Sequence, residues 1–147
     1  MIKNVMAAVD GSGHAERALA LAADMAVKYG AALHLAHVVA RPVVSEELKE
    51  FASIEHVDNP AEIALAQIGE SILGAARASA TVKGVRDVRT RVLTGDPAEE
   101  LLRYARDHGV DLIAMGRRGL GRVGGLLVGS VSSKVSSLAE CAVVTVK

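Results

Sequence analysis

The sequence predicts an α/β protein with an open, doubly wound parallel sheet of five strands and helices on both faces. Short apolar runs alternate with longer segments of helical periodicity along most of the 147 residues. Glycine, aspartate or serine separates many of these segments, as turn residues do. Because no internal repeat or linker interrupts the alternation, residues 1–147 are expected to form a single domain.

The first strand–helix–strand unit occupies the N-terminal quarter of the chain. Residues 2–9 and 31–39 are short apolar runs, which predicts two buried strands. Between them, residues 14–29 repeat small and aliphatic side chains at helical spacing. Ser12 is a suitable N-cap for this helix, and Gly30 is a natural stop.

The middle of the chain is less regular. Residues 42–60 predict at most a short helical piece around 46–52. Residues 61–80 then predict a long helix, because apolar side chains recur at helical spacing. The residues on its apolar side are Ile63, Ala64, Ile68, Ile72, Ala75 and Ala76.

The C-terminal half predicts three further strands. Residues 88–94 alternate between apolar and polar side chains, so this strand is expected to have one wetter face and to lie near a sheet edge. Asp96 is the expected N-cap of a helix at 97–108, which starts with proline and stops at Gly109. The remaining predicted elements are a strand at 110–115, a helix at 130–140 and a strand at 142–146.

The composition argues against nucleic acids and membranes as partners. The 17 Lys and Arg residues balance 17 Asp and Glu residues, and only 2% of the residues are aromatic. A neutral, aromatic-poor chain lacks the basic surface and the stacking platforms expected of a nucleic-acid binder. No run of about 18 apolar residues is present, so no membrane span is expected. No signal peptide is recognisable at the N-terminus. The single cysteine, Cys141, excludes an internal disulfide and favours the cytoplasm.

Three unusual places lie where predicted strands end, which is where parallel sheets bind ligands. They are Asp10, residues 37–39 and Gly116. Six of the fourteen residues from 116 to 129 are glycine, and a helix is predicted to follow. Glycines let backbone N–H groups approach an anion, and a helix N-terminus adds positive potential, so this segment predicts a phosphate site. The side-chain donors there are Arg117, Arg118, Arg122 and Ser130.

The glycine spacing separates this segment from two familiar phosphate motifs. A Walker A loop needs a lysine between its last glycine and the hydroxyl, but Ser130 follows Gly129 directly. Gly119, Gly121 and Gly124 do spell G-x-G-x-x-G, although glycine-rich loops produce that pattern easily. A dinucleotide fold also needs a strand with an acidic partner after the helix, and a single predicted strand remains.

The pattern G-x2-G-x9-G-[ST] does match, at Gly116, Gly119, Gly129 and Ser130. The segments AAVDGS, LAHVV and TGDPAEELLRYARDHGVDLIAMGRRG accompany it. In these features the whole chain resembles the universal stress protein family, whose ATP-binding members carry this signature. The resemblance implies a Rossmann-like sheet with strand order 3-2-1-4-5 and a dimeric protein. One departure is Ala142, where many members have proline after the cysteine position.

The resemblance also implies roles for individual residues. Asp10 would hold the ribose, the backbone of Val38 would meet adenine, and Gly116 would lie near the ribose. The residues implied at the phosphates are Gly119, Gly129, Ser130 and the backbone of Val131. The implied ligand is ATP, with Mg²⁺ arriving, if at all, with the nucleotide. The apolar last strand, with its unpaired edge, is the expected homodimer contact.

Three functions fit the sequence at this stage. They are an ATP-binding regulatory protein, a slow ATP hydrolase or nucleotidyl transferase, and a structural dimer module whose pocket stays empty. No general base is recognisable near the phosphates, which argues against fast chemistry. On local chemistry alone, Asp10 could instead cap Gly13 or His14 in the turn after the first strand.

The histidines and the cysteine predict no catalytic or metal site. His34 and His37 lie three apart on one strand and therefore on opposite faces. The other histidines, His14, His56 and His108, are scattered along the chain. Cys141 is expected to be a buried apolar residue.

Overall fold

The computed structural model describes residues 1–40, 60–119 and 129–147. The strands are β1 (Asn4–Ala8), β2 (Ala32–Val39), β3 (Val88–Thr94), β4 (Leu112–Gly116) and β5 (Ala142–Val146). The helices are α1 (Gly13–Tyr29), α2 (Pro60–Val82), α3 (Pro97–Asp107) and α4 (Ser130–Leu138). All five strands are parallel and form one sheet in the order β3-β2-β1-β4-β5. The predicted fold class and strand order are confirmed.

The predicted elements are found with ends shifted by at most two residues. β3 lies at one edge of the sheet, as its alternating pattern predicted, and β5 lies at the other. β1 is the central strand, paired with β2 on one side and β4 on the other. The helical piece predicted at 46–52 lies outside the described residues.

Two of the helices begin with the predicted side-chain caps. Ser12 Oγ accepts a hydrogen bond from the Ala15 amide at 3.2 Å, at the start of α1. Asp96 Oδ1 accepts one from the Glu99 amide at 2.9 Å, at the start of α3. This bond, together with Lys134, lowers the pKa of Asp96, because both favour the ionised carboxylate.

Separate cores cover the two faces of the sheet. Side chains alternate along β1, so Val5 and Ala7 pack with α1 and α2, whereas Met6 packs with α3 and α4. The buried side of α1 consists of five alanines and Leu19. Because alanine side chains are short, this helix can lie close to the central strands.

The buried side of α2 differs from the predicted apolar side. Its buried residues are Gly69, Leu73, Ala76 and Ala80, whereas Ile63 and Ile68 are 47% and 55% exposed. A Cβ on Gly69 would lie 2.9 Å from the His37 ring and 3.3 Å from Val92. A glycine therefore makes the close approach that sets the rotation of this helix. Counting apolar side chains overlooks such a contact, so the prediction was wrong for Ile63, Ala64, Ile68 and Ala75, which are exposed. It was right for Ala76, which is buried, and for Ile72, which packs against the core.

A buried histidine links β2 to β1 and α3. His34 has no exposed surface; its Nδ1 lies 3.0 Å from the Tyr104 hydroxyl and its Nε2 lies 3.3 Å from Asn4 Oδ1. The Asn4 amide nitrogen donates to the Gly109 carbonyl, so its oxygen faces His34 as an acceptor. A neutral His34 with its proton on Nε2 therefore satisfies both contacts, with the Tyr104 hydroxyl donating to Nδ1.

His108, which is distant from His34 in the sequence, also joins this cluster. Its ring stacks on Tyr104 with 3.8 Å between ring centroids and lies 5.8 Å from the His34 ring. Burial lowers the pKa of His34, and the nearby charges of Arg89 and His108 lower it further, against an opposing effect of Asp87. The fold therefore favours the neutral form of His34.

Replacement of His34 by glutamine should make stability less sensitive to acid. The pKa of His34 is lower in the folded chain than its unfolded value of about 6.5, so the unfolded state takes up the proton first. The free energy of unfolding of the native protein should therefore fall as the pH drops below about 6.5 towards the lowered pKa. Urea unfolding across this range should show the gap between native and His34→Gln protein narrowing with acid. Parallel pH profiles would contradict the assignment.

Candidate functional site

The chain turns sharply at the carboxyl end of β1. Asp10 Oδ1 accepts a hydrogen bond from the Ser12 amide at 2.9 Å. Gly11 between them has a φ of +81°, a left-handed conformation that favours glycine. The turn role considered for Asp10 therefore exists, but its partner is Ser12 rather than Gly13 or His14.

The residue that follows β4 and the residue that precedes α4 lie next to each other. The Gly129 amide donates to the Arg117 carbonyl at 2.8 Å, and Ser132 Oγ lies 2.8 Å from the same oxygen. On the other side, the Arg117 amide donates to the Val146 carbonyl of β5 at 2.7 Å. Because all of these contacts involve the backbone of Arg117, they fix both ends of the glycine-rich segment against the sheet.

Two glycines allow other groups to approach the end of β4. A Cβ on Gly116 would lie 2.8 Å from the His14 Cβ and 3.0 Å from the Ala15 amide nitrogen, so the start of α1 packs directly on this residue. A Cβ on Gly119 would lie 2.6 Å from Asp10 Oδ2. The ends of β1 and β4 therefore meet, with the second carboxylate oxygen of Asp10 facing Gly119.

The end of β2 is hydrogen-bonded to the residue that follows β1. His37 Nδ1 lies 2.8 Å from the Val9 carbonyl, and because a carbonyl only accepts, this nitrogen carries the proton. The Val9 amide in turn donates to the Ala36 carbonyl at 2.9 Å. These two bonds fix the strand ends on which Asp10 and Val38 lie.

The three strand ends surround a cavity of about 360 Å³. All the residues predicted to contact a ligand line it: Asp10, Val38, Gly116, Gly119, Gly129, Ser130 and Val131. His37, which the sequence placed at the end of the second strand, is also in the wall, and among the wall residues that the sequence did not single out are Pro97, Leu101 and Met115. Pro97 and Leu101 belong to α3, and only the tertiary arrangement shows that its first turns reach the cavity. Arg122 lies outside the described residues.

The cavity has an apolar side and a side rich in hydrogen-bond donors. Val38, Leu101 and Met115 contribute apolar surface, and the basic residues Arg117 and Arg118 also line the cavity. α4 begins beside them after Gly129, and no side chain caps its first N–H groups. Uncapped N–H groups at a helix N-terminus favour an anion. The arrangement therefore suits a ligand with an apolar ring system and a negatively charged end.

Comparison with known proteins identifies the relatives of this chain. All 147 residues, 1–147, match the universal stress protein family. The chain belongs to this family. The universal stress protein YxiE of Bacillus subtilis is 34% identical over 149 residues, an alignment that covers all of both chains.

Solved structures of universal stress proteins share the fold. The universal stress protein UspA from Lactobacillus plantarum has a TM-score of 0.85 and 24% identity, covering 99% of this chain and 98% of that chain. A universal stress protein in complex with cAMP has a TM-score of 0.72 and 26% identity, covering 99% of this chain and 97% of that chain. The family thus includes a solved structure with a bound nucleotide.

Of the remaining histidines and the cysteine, His37 lines the cavity, whereas His34 and Cys141 do not. His34 contacts Tyr104 of α3 and His37 contacts Gly69 of α2, so they lie on opposite faces, as predicted. Cys141 is only partly buried, contrary to expectation, and lines a second cavity between α3 and α4; burial raises the pKa of its thiol. His56 lies outside the described residues.

The described ranges 1–40, 60–119 and 129–147 contain no group of three or more His, Cys, Asp or Glu residues placed to hold a metal ion. Among the helices so described, none has the length and hydropathy that a membrane crossing requires.

Gly116→Ala should destabilise the protein, because the new methyl group meets the His14 Cβ and a backbone nitrogen of α1. Overpacking of this kind lowers the free energy of unfolding by about 1–3 kcal/mol. Gly74→Ala is the matched control, since a Cβ on this exposed residue of α2 would have nothing within 4 Å. That change should raise the free energy of unfolding by about 0.5–1 kcal/mol. Urea denaturation measures both, and a Gly116→Ala protein as stable as the native one would refute the close approach of α1 to β4.

Proposed function

We propose that this universal stress protein binds ATP in the cavity at the ends of β1, β2 and β4, and acts as a nucleotide-dependent regulator in the cytoplasm. One observation carries the proposal. The positions of the ATP signature, which are up to 14 residues apart in sequence, line one cavity together with Asp10 and Val38. The solved relative with bound cAMP supports an adenine nucleotide as the ligand class.

The nucleoside would lie towards β1 and β2. Val38 and Leu101 offer apolar surface for the adenine ring, and the backbone of Val38 ends β2 at the cavity wall. The Asp10 turn uses Oδ1 to hold the Ser12 amide. Oδ2, beside Gly119, is then the oxygen that would accept a hydrogen bond from a ribose hydroxyl.

The phosphates would lie at the start of α4. Gly119, Gly129 and Ser130 line this part of the cavity, and the backbone of Val131 is in the first turn of the helix. The Gly129 amide already donates to the Arg117 carbonyl, so the uncapped N–H groups of Ser130 and Val131 are the ones that would meet phosphate oxygens. Because the described residues hold no ready metal site, Mg²⁺ would arrive coordinated by the nucleotide itself.

Asp10→Ala should weaken ATP and ADP about equally, because both carry the same ribose. Loss of a hydrogen bond to a charged group should lower each affinity by roughly ten- to a hundredfold. Asp10→Asn is the matched variant, since its amide oxygen can still accept from the Ser12 amide and preserve the turn. Calorimetry with both nucleotides, with and without Mg²⁺, measures the effect.

Two results would count against the ribose role of Asp10. One is a folded Asp10→Ala protein with native affinity, which would leave Asp10 as a turn residue only. The other is a Mg²⁺-dependent loss that is much larger for ATP than for ADP, which would assign the carboxylate to a metal on the phosphates.

We also propose a homodimer through β5. This strand pairs with β4 on one side only, so its other edge presents unpaired backbone groups. Val143, Val144 and Val146 are each partly exposed along it. An apolar strand edge of this kind suits pairing with a second copy of the chain.

Val144→Lys should convert the proposed dimer into a monomer, because it places a charge in the middle of the paired edge. Val144→Thr keeps a β-branched side chain without a charge and should remain dimeric. Sedimentation velocity at micromolar concentration distinguishes the species. A native protein that is monomeric, or a Val144→Lys protein that remains dimeric, would exclude this interface.

A further inference from the structure

Helix α3 connects the cavity to the buried His34 cluster. Pro97 and Leu101 line the cavity, and the Tyr104 hydroxyl lies 3.0 Å from His34 Nδ1. Residues three apart on a helix lie on the same face, and the side chains of Leu101 and Tyr104 are both buried under α3. The hydrogen bond between Tyr104 and His34 thus holds the helix turn that carries Leu101 against β2. A shift of α3 at Tyr104 therefore also moves Leu101 in the cavity wall.

This hydrogen bond requires a neutral His34. Nε2 faces Asn4 Oδ1 and carries the proton, so Nδ1 accepts from the Tyr104 hydroxyl. A second proton on Nδ1 would turn this acceptor into a donor and leave the hydroxyl proton of Tyr104 without that acceptor. On the β1 side, Asn4 is neutral, and Asp111 Oδ2 accepts from the backbone amide of Asn4 rather than from the histidine ring. Protonation therefore weakens the attachment of α3 to β2.

The charged groups around His34 oppose protonation. Arg89 is the register partner of His34 on β3, and Arg91 lies on the same face of that strand. Asp87 carries a negative charge, but it is paired with Arg89 at 2.7 Å. The ring of His108 lies 5.8 Å from that of His34 and adds a positive charge when it is protonated. Burial, followed by the charges of Arg89 and His108, lowers the pKa of His34.

We infer that protonation of His34 weakens nucleotide binding, with α3 as the connecting element and Tyr104 as the positioning residue. The inference rests on the proposed function, which puts the adenine ring against Leu101. Neutral His34 holds Tyr104 and so keeps Leu101 in the cavity wall. Protonated His34 releases Tyr104, and the wall loses this support. Linkage requires the reverse effect as well, so a bound nucleotide opposes protonation of His34.

Calorimetric titration with ATP in the absence of Mg²⁺, at about pH 7.5 and about pH 5.5, tests this inference. The native protein should lose affinity about fivefold or more at the lower pH. His34→Gln is the matched variant, because its amide can accept from Tyr104 and donate to Asn4 at either pH. It should lose clearly less affinity. Protonation of ATP itself and of His37 in the cavity wall is common to both proteins and cancels in the comparison.

Tyr104→Phe tests the positioning role directly. It removes the hydroxyl that binds His34 and keeps the ring that stacks on His108. This variant should bind ATP more weakly than the native protein at about pH 7.5 and should show a flatter pH profile. Tyr29→Phe is the matched control, because Tyr29 is an exposed residue at the end of α1. Its pH profile should equal that of the native protein.

An NMR titration of the native protein gives a readout that a purely structural histidine would not change. Saturating ATP should lower the pKa of His34, because nucleotide binding and protonation oppose each other. An unchanged pKa, or parallel pH profiles for the native and His34→Gln proteins, would overturn the inference while the cavity stays a nucleotide site. If the native protein binds no adenine nucleotide at either pH, the proposed function fails and the inference fails with it. Should His34→Gln fail to fold in a thermal melt, the NMR titration decides.

Discussion

The end of β4 depends on close contacts at two glycines, where a Cβ would lie 2.8 Å from the His14 Cβ at Gly116 and 3.2 Å from the Arg117 carbonyl oxygen at Gly129. Gly116 meets the first turn of α1, and Gly129 lies close enough to donate its amide to the Arg117 carbonyl. Together these approaches bring the start of α1, the end of β4 and the start of α4 to one point. Every residue proposed to touch phosphate is positioned by that convergence. The glycines thus act through packing geometry, which brings the uncapped first turn of α4 to the cavity.

Arg117 and α3 connect the cavity to the β5 edge of the sheet and to the buried histidine cluster. Arg117 is hydrogen-bonded through its amide to Val146 of β5, so the phosphate side of the cavity adjoins the sheet edge proposed for dimerisation. On the other face, α3 lines the cavity with Leu101 and, one turn later, contacts His34 through Tyr104. The proposed nucleotide cavity is therefore bounded by elements that also bear the proposed dimer edge and the buried histidine cluster.

Much of this architecture was predictable because it depends on interactions between residues that are close together in the sequence. Strand and helix order follows from the period of the apolar side chains, and the caps at Ser12 and Asp96 involve amides only three residues away. The spacing from Gly116 to Ser130 is enough to indicate a phosphate site, because strand, glycine loop and helix N-terminus are consecutive in sequence. The sequence by itself therefore determined the fold class and the cavity residues at the strand ends and in the glycine-rich segment, but not the wall that α3 contributes.

Tertiary structure decided the features that depend on groups distant in sequence. The rotation of α2 is set by Gly69 against His37, 32 residues away, and a glycine contributes nothing to an apolar pattern. The neutral state of His34 depends on Tyr104 and Asn4, which the sheet and α3 bring together. The backbone hydrogen bonds of Arg117 join β5 to the start of α4, two elements that are separated from each other in the sequence. A sequence lists the charges and hydrogen-bonding groups of a chain, but pairing is a property of distance, and only the folded arrangement sets the distances.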